Sequence, residues 1–426
     1  MHLKRLLFLV ALFFSQSIYG QLSKRHFFPP IPTAKYNNIN SAVPSTPYLY
    51  LSTPETGPVD VTIYEIGGGT TSYTVSNGNP LTIAFNSNGY LSPFFLEANE
   101  QTTSDFGVPL NNKGLWLEAD KEIYANLRVN STNGAQAEML TSKGSTGIGK
   151  TFYAGHLNNT YDFGDRLNFV SVMSLSNNNT VTISGLNPST NVINLGTGNS
   201  SYSVTLQMHE SLVFASTPYS SPNPSIDGAA FIGKLINSTE DIVVNVGSTN
   251  GNMGDVGNGR DYGFDQIVPI QMIGEEYVLV RGNGTTAHEK PIIIATENST
   301  NLYFNDNPTP VTLLSPGDYY IADVQVNSAN YFDSNGVMAL KSSKPVYVYQ
   351  PVMADPGCCT QGMYFVPPLN CAAPNYIDEV TDISRIGTKN FIGSVNLISR
   401  KEATIDLHSN QIIMTFDQNG VIGQVP

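Results

Sequence analysis

The stretch GSTGIGKT, Gly144 to Thr151, satisfies every fixed position of G-x-x-x-x-G-K-[ST], the loop whose backbone N–H groups cradle phosphates. That chemistry needs a helix opening at the Lys-Thr pair, because the positive end of the helix completes the anion site. After Lys150-Thr151 the chain continues FYAGHLNNTYDFG, in which Gly155, Asn158, Asn159 and Gly164 would break such a helix early. Only the short run Ala137 to Leu140 precedes it as a strand, and no acidic residue presents itself for Mg²⁺. The match is therefore read as spurious, one of the Gly-rich connections of the chain, and no cofactor is expected.

Other residues with chemical potential are dispersed. Asp255, Asp261 and Asp265 share a second Gly-rich segment and are the candidate calcium ligands, since a hard cation prefers carboxylate oxygens, but their spacing follows no known calcium loop. Cys358, Cys359 and Cys371 are the three cysteines; in an oxidising compartment one of the adjacent pair can bridge to Cys371 and leave one thiol over. The six histidines (His2, His26, His156, His209, His288, His408) have no metal-site or nucleophile-elbow partner in sequence. Glu55, Glu118, Asp120, Glu275 and Glu276 are available for glycoside hydrolysis, yet nothing selects two of them. No catalytic residue is assigned. Aromatics give the better lead for binding: Tyr48, Tyr50, Tyr64 and Trp116 early in the chain, Tyr319, Tyr320, Tyr347 and Tyr349 later, although strand alternation buries many such residues.

The elements that must position these residues are short strands. YLYL from Tyr48, VDVTIYEI from Val59, FVSVMSL from Phe169 and VYVY from Val346 are β-branched or aromatic runs separated by Asn, Gly, Ser, Thr and Pro. The chain also repeats itself. Gly114-LWLEADKE-Ile123, Gly233-KLINSTED-Ile242 and Gly336-VMALKSSK-Pro345 share one nine-residue step from glycine through a polar turn to a second strand. The expected architecture is all-β: tandem β-sandwich-like modules, with a closed ring or propeller of β units as the alternative, in three complete repeats and a partial fourth. The expected boundaries are a lead-in at 21–46, modules at 47–155, 156–262 and 263–362, and the partial module at 363–426. The fourth lacks its glycine-to-isoleucine segment, as a fragment of a longer protein would.

The first twenty residues, MHLKRLLFLVALFFSQSIYG, have the basic start, apolar run and small-residue end of a secretory signal peptide cleaved near Gly20. Removing Lys4 and Arg5 with it leaves 19 basic against 34 acidic residues, a mature charge of −15 that excludes a nucleic-acid role. No later run is long and apolar enough for a membrane span.

Four phrases together, YLYLSTPE (Tyr48 to Glu55), DYGFDQIVPIQMIGEEYVLVRG (Asp261 to Gly282), ALKSSKPVYVYQP (Ala339 to Pro351) and MYFVPPLNC (Met363 to Cys371), resemble the IgGFc-binding protein N-terminal domain family, roughly from Phe27 to the end. The resemblance implies a secreted or cell-surface adhesion protein without a catalytic constellation, its partner an extracellular glycan, mucin-like glycoprotein or surface polymer. A structural spacer of a longer surface protein is the alternative, and an extracellular polysaccharide-degrading enzyme a further one.

Overall fold

The computed structural model describes residues 21–34, 44–85, 92–98, 103–132, 136–159, 166–218, 221–253, 260–284, 288–323, 331–355, 358–369, 382–391 and 398. Strands dominate it. The first group is β1 (Ser23–Phe28), β2 (Ile31–Ala34), β3 (Tyr48–Ser52), β4 (Val59–Glu65), β5 (Thr70–Val75), β6 (Leu81–Ala84), β7 (Phe95–Ala98), β8 (Leu115–Asn130) and β9 (Ala137–Thr141). The second is β10 (Gly149–Tyr153), β11 (Leu167–Ser174), β12 (Asn179–Ser184), β13 (Ser201–Leu206), β14 (Ser211–Ser216), β15 (Leu235–Gly251) and β16 (Asp261–Ile267). The third is β17 (Gly274–Val280), β18 (Ile292–Ala295), β19 (Thr300–Phe304), β20 (Val311–Leu313), β21 (Tyr319–Ile321), β22 (Val337–Asp355) and β23 (Cys358–Phe365), followed by the hairpin β24 (Arg385–Ile386) and β25 (Lys389–Asn390).

Three seven-stranded sheets share one topology: β5-β4-β8-β3-β6 with β1 and β9 also on β8, β13-β12-β15-β11-β14 with β10 and β16 on β15, and β20-β19-β22-β18-β21 with β17 and β23 on β22. In each, the first half of one long strand pairs with two neighbours and its second half with two others, so the sheet folds over itself along that strand. Alternating burial along β12 and β19 fits a sheet with one face on a core. Leu49, Leu51, Leu127 and Leu140 from one half of the first sheet meet Val61, Ile63, Leu115 and Leu117 from the other in a single apolar cluster. The all-β tandem modules are thus present as three folded-over sheets.

The repeated glycine-to-isoleucine phrase differs from its expected form of two strands and a turn. It is one continuous strand bent at a corner. Ser23 pairs with Ile123 and Arg25 with Glu118; Gly149 with Ile242 and Thr151 with Asn237; Gly274 with Val346 and Glu276 with Lys341. The polar run between those positions is the corner, where the ladder opens as at a bulge. Its freed carbonyls are satisfied locally: Thr53 Oγ1 donates to the Glu122 carbonyl at 2.8 Å and Thr296 Oγ1 to that of Pro345 at 2.7 Å, while Asn179 Nδ2 donates to Glu240 at 3.1 Å. In the third sheet Val346, one residue past the expected Pro345, takes the position of Ile123 and Ile242.

The glycine that opens each phrase has a positive φ: 113° at Gly114, 74° at Gly233 and 77° at Gly336. Two of them also lie where sheets meet. A Cβ on Gly114 would stand 2.6 Å from Met173 Cε and 2.9 Å from Ser211 Oγ of the second sheet; Gly233 abuts the backbone of Gly317 ahead of β21 in the third. Successive sheets therefore join through equivalent surfaces.

Sheet membership crosses the expected boundaries. β1, within the lead-in, belongs to the first sheet, β10 to the second rather than the first, and β16 and β23 straddle the limits at 263 and 363. Of the partial fourth module, the described hairpin returns to the first sheet. Arg128, whose guanidinium lies 3.8 Å over the Tyr50 ring, donates to the carbonyls of Asp382 and Arg385, and Gly387 N donates to Tyr50 Oη at 2.9 Å.

Candidate functional site: an aromatic cleft between the first two sheets

Trp116, the single tryptophan, sits one residue inside β8, where the register places Tyr64 of β4 on one side and Phe27 of β1 on the other. Cross-strand neighbours of this kind stand close enough for rings to touch. Tyr64 stacks on Trp116 with centroids 4.0 Å apart and planes 6° from parallel; Phe27 lies 6.2 Å away at 16°. The second sheet supplies the remaining wall. The turn between β13 and β14 holds His209 at φ 66°, its N–H donating to the Ser174 carbonyl at 2.8 Å, and sets the imidazole 4.6 Å from the Trp116 ring.

Phe27, Trp116 and His209 line, with Leu175 and Met208, an open cleft of about 300 Å³ rimmed by Arg25 and Glu118, register neighbours across β1 and β8, while Tyr64 backs Trp116 from outside the lining. Met208 is 49% exposed. Partial burial lowers the pKa of His209 and so favours its neutral ring. Phe27 is buried and Trp116 and His209 are half-buried, so the cleft offers the uncovered parts of the Trp116 and His209 rings for apolar contact, with one cation and one anion beside them for hydrogen bonds. It contains no nucleophile–base pair. Of its residues Trp116 stood out in the sequence, as did Tyr64 that stacks behind it; Phe27, His209, Met208 and Arg25 did not. The QMHE turn between two strand-like runs was the only local signal for His209, and nothing local places it over Trp116.

A second constellation lies where β9, β16 and β23 converge. Each of these strands hydrogen-bonds its own long strand, and a carboxylate from a neighbouring sheet takes up N–H groups on its free edge. Asp261 Oδ1 accepts Ala137 N at 2.7 Å, Glu138 Oε2 accepts Met363 N at 3.2 Å and Asp265 Oδ2 accepts Phe365 N at 3.0 Å. Burial pushes all three carboxyls up, Glu138 to about 8 and Asp261 well above the usual carboxylate range, with the Glu138–Asp261 repulsion adding to the latter. For Asp265 the Lys143 ammonium, 3.0 and 2.9 Å from its two oxygens, opposes the rise.

The residues singled out in the sequence fall as follows. Gly144 to Gly147 form a single 3₁₀ turn, while Lys150 and Thr151 lie in β10; Lys150 Nζ reaches the Thr239 carbonyl at 2.9 Å and Glu240 at 3.0 Å. This turn precedes β10 as the 3₁₀ turn Ile270–Met272 precedes β17. Asp261 and Asp265 both lie on β16, four residues or about 13 Å apart along the strand, too far to share one ion; Asp255 lies outside the described residues. Cys358 and Cys359 are in β23, and Cys371 is outside the described residues. His26 and His156 are buried and serve the backbone: His26 Nε2 donates to Ile123 O at 2.9 Å, and His156 Nε2 accepts Phe231 N at 3.0 Å. Tyr50, Tyr347 and Tyr349 belong to the core.

The family model described as IgGFc binding protein matches residues 137–424, more than half of the 426 residues. The chain belongs to the IgGFc binding protein family. This is a binding family and not a catalytic one. The match begins at β9 and takes in the second and third sheets, whereas Trp116 and Phe27 precede it. No curated protein sequence matches the chain. The solved structures that align over most of this family member include the following two. One, described as giving insight into host cell surface retention of a 1.5-MDa bacterial ice-binding adhesin, is 12% identical, with 81% of this chain and 96% of that one covered at a TM-score of 0.12. The other, a Ca²⁺-stabilised adhesin that helps an Antarctic bacterium bind ice, is 11% identical, with 82% and 74% covered at a TM-score of 0.13. At those scores neither bears on the fold or function of this chain. Among the described residues no helix is long and apolar enough to cross a membrane.

Proposed function

We propose that this protein is a secreted or cell-surface recognition and adhesion protein, exported through the leader at 1–20, whose cleft around Trp116 binds a glycan or glycoprotein without transforming it. The carrying observation is the Tyr64–Trp116–Phe27 row capped by His209 and rimmed by Arg25 and Glu118. Family membership supports a binding role. A glycan is favoured by the half-buried Trp116 and His209 rings, which can contact the apolar side of a sugar, and by the charged groups beside them, which can bond its hydroxyls.

The test uses immobilised mucins, neutral and acidic polysaccharides and immunoglobulin, with turnover followed in parallel. Saturable binding without turnover is expected. It should perturb the fluorescence of Trp116, the single tryptophan, and weaken by about 2 kcal/mol, roughly thirty-fold in Kd, in Trp116→Ala. Binding that Trp116→Ala leaves intact would remove the cleft as the site. Turnover of a polysaccharide would install an enzyme, and absence of binding to the whole panel would leave the spacer role.

A further inference from the structure

Lys143 and Asp265 present a second, unrelated opportunity for chemistry. Lys143 follows β9 of the first sheet; Asp265 lies on β16 of the second. Their side chains are 10% and 5% exposed, and Nζ stands 3.0 and 2.9 Å from the two carboxylate oxygens. On the far side each oxygen meets a backbone donor, Gln266 N to Oδ1 at 2.8 Å and Phe365 N to Oδ2 at 3.0 Å. An amine is thus held against a carboxyl carbon whose oxygens already face fixed N–H groups, in a setting from which water is nearly excluded.

We propose that Lys143 and Asp265 condense into an intramolecular amide that ties the first sheet covalently to the second. Within the pair a proton passes from the ammonium to the carboxylate, giving neutral amine and neutral acid; burial, which pushes the Asp265 carboxyl up, favours this exchange. The Nζ lone pair then attacks Cγ. Negative charge on the tetrahedral oxygen is held by the N–H of Gln266 or Phe365, an arrangement already in place before reaction. The other oxygen departs as water, carrying the acid proton and one proton from nitrogen. One C–N bond forms, one C–O bond breaks, one water leaves, and no oxidant or nucleotide is needed. Fixed proximity replaces activation: well-oriented intramolecular partners reach effective molarities of about 10⁵ M or more.

Glu138 is a further carboxyl of the same cluster. It caps Met363 two residues from the Phe365 N–H that Asp265 caps, and the Asp265 charge helps to keep its carboxyl protonated.

The experiment is intact-mass spectrometry of the folded mature chain, with proteolytic mapping of the segments that hold Lys143 and Asp265. The expected result is a mass lower than the sequence by one water, and a branched peptide joining the two residues. Lys143→Arg keeps the ion pair but removes the nucleophile, and should restore the full mass. A wild-type mass equal to that of the sequence, with the two residues in separate peptides, would overturn the proposal and leave an ion pair. A deficit that persists in Lys143→Arg would also overturn it, since the water would then come from elsewhere.

Discussion

Gly233 and Gly336 open equivalent strands at nearly the same φ, 74° and 77°, but in different surroundings. Gly233 faces Gly317 of the next sheet so closely that a Cβ on Gly317 would stand 2.6 Å from the Gly233 carbonyl oxygen, and one on Gly233 would come closer still to the Gly317 carbonyl. A Cβ on Gly336 would meet nothing nearer than Arg281 Cβ at 3.5 Å, an ordinary contact. Alanine at either position bears the left-handed backbone penalty of about 1–2 kcal/mol. Gly233→Ala must in addition push two backbones apart, and overpacking of that kind costs about 1–3 kcal/mol. The expected losses are about 3 kcal/mol for Gly233→Ala and about 1 kcal/mol for Gly336→Ala. Urea unfolding of both variants, followed by circular dichroism, measures them. Equal losses would refute the claim that the glycine is set by the contact between sheets as well as by its dihedral angle.

The carboxyls between the sheets make stability depend on pH. Folded Glu138 keeps its proton up to about 8 whereas the unfolded group releases it near 4.5, so stability falls as pH rises through that interval. At about 1.4 kcal/mol per pH unit the limit is about 5 kcal/mol, and because Glu138 keeps part of its surface in solvent about 2 kcal/mol is expected; wild type should lose that much more than Glu138→Gln between pH 5.5 and 8.5 in urea titrations, and parallel curves would refute it. On the acid side His26 and His156, whose pKa values burial lowers to about 4 from 6.5, stay neutral in the fold while the unfolded chain takes up protons, so stability also falls as pH drops from about 6.5 to 4. Tyr349→Phe deletes a buried hydroxyl that donates to the Tyr153 carbonyl at 2.7 Å, and leaving that carbonyl unpaired should cost about 1–3 kcal/mol in the same assay. Lys150→Ala should change stability by less than about 0.5 kcal/mol and leave panel binding intact, since its partner Glu240 is solvent-exposed; ATP binding abolished by this variant would restore the phosphate-loop reading.

The strands and their repetition could be read from the sequence because period-2 burial and turn residues are local signals. VYVY at Val346 and YLYL at Tyr48 needed only their neighbours to declare themselves. The corner at Ala119 to Glu122 was misread for the same reason: a polar run between apolar runs looks like a turn, and whether the chain reverses there depends on β1 and β4 pairing with β8. The cleft was half legible. Trp116 and Tyr64 are conspicuous residue types, but their stacking depends on register between strands some fifty residues apart, and His209 reaches them only because two sheets pack. The Lys143–Asp265 pair had no local signal, since a lysine beside a glycine turn and an aspartate in an apolar strand become partners only across a separation of 122 residues.

Such non-local contacts bear on how an adhesive protein would carry force. The sheets join through backbone-close glycine contacts and through carboxylates that seal one another's edge strands, so pulling two sheets apart exposes unpaired N–H groups along with apolar surface. The chain after the third sheet comes back to Tyr50 and Arg128 of the first, so sheets distant in sequence are also coupled. The aromatic cleft lies across the seam between the first two sheets, and Trp116 and His209 come from opposite sides of it. A ligand seated there touches both sheets and is lost if they separate. A covalent tie between Lys143 and Asp265 bridges the same two sheets, and would hold the two walls of the cleft together under a load that the edge hydrogen bonds alone would yield to.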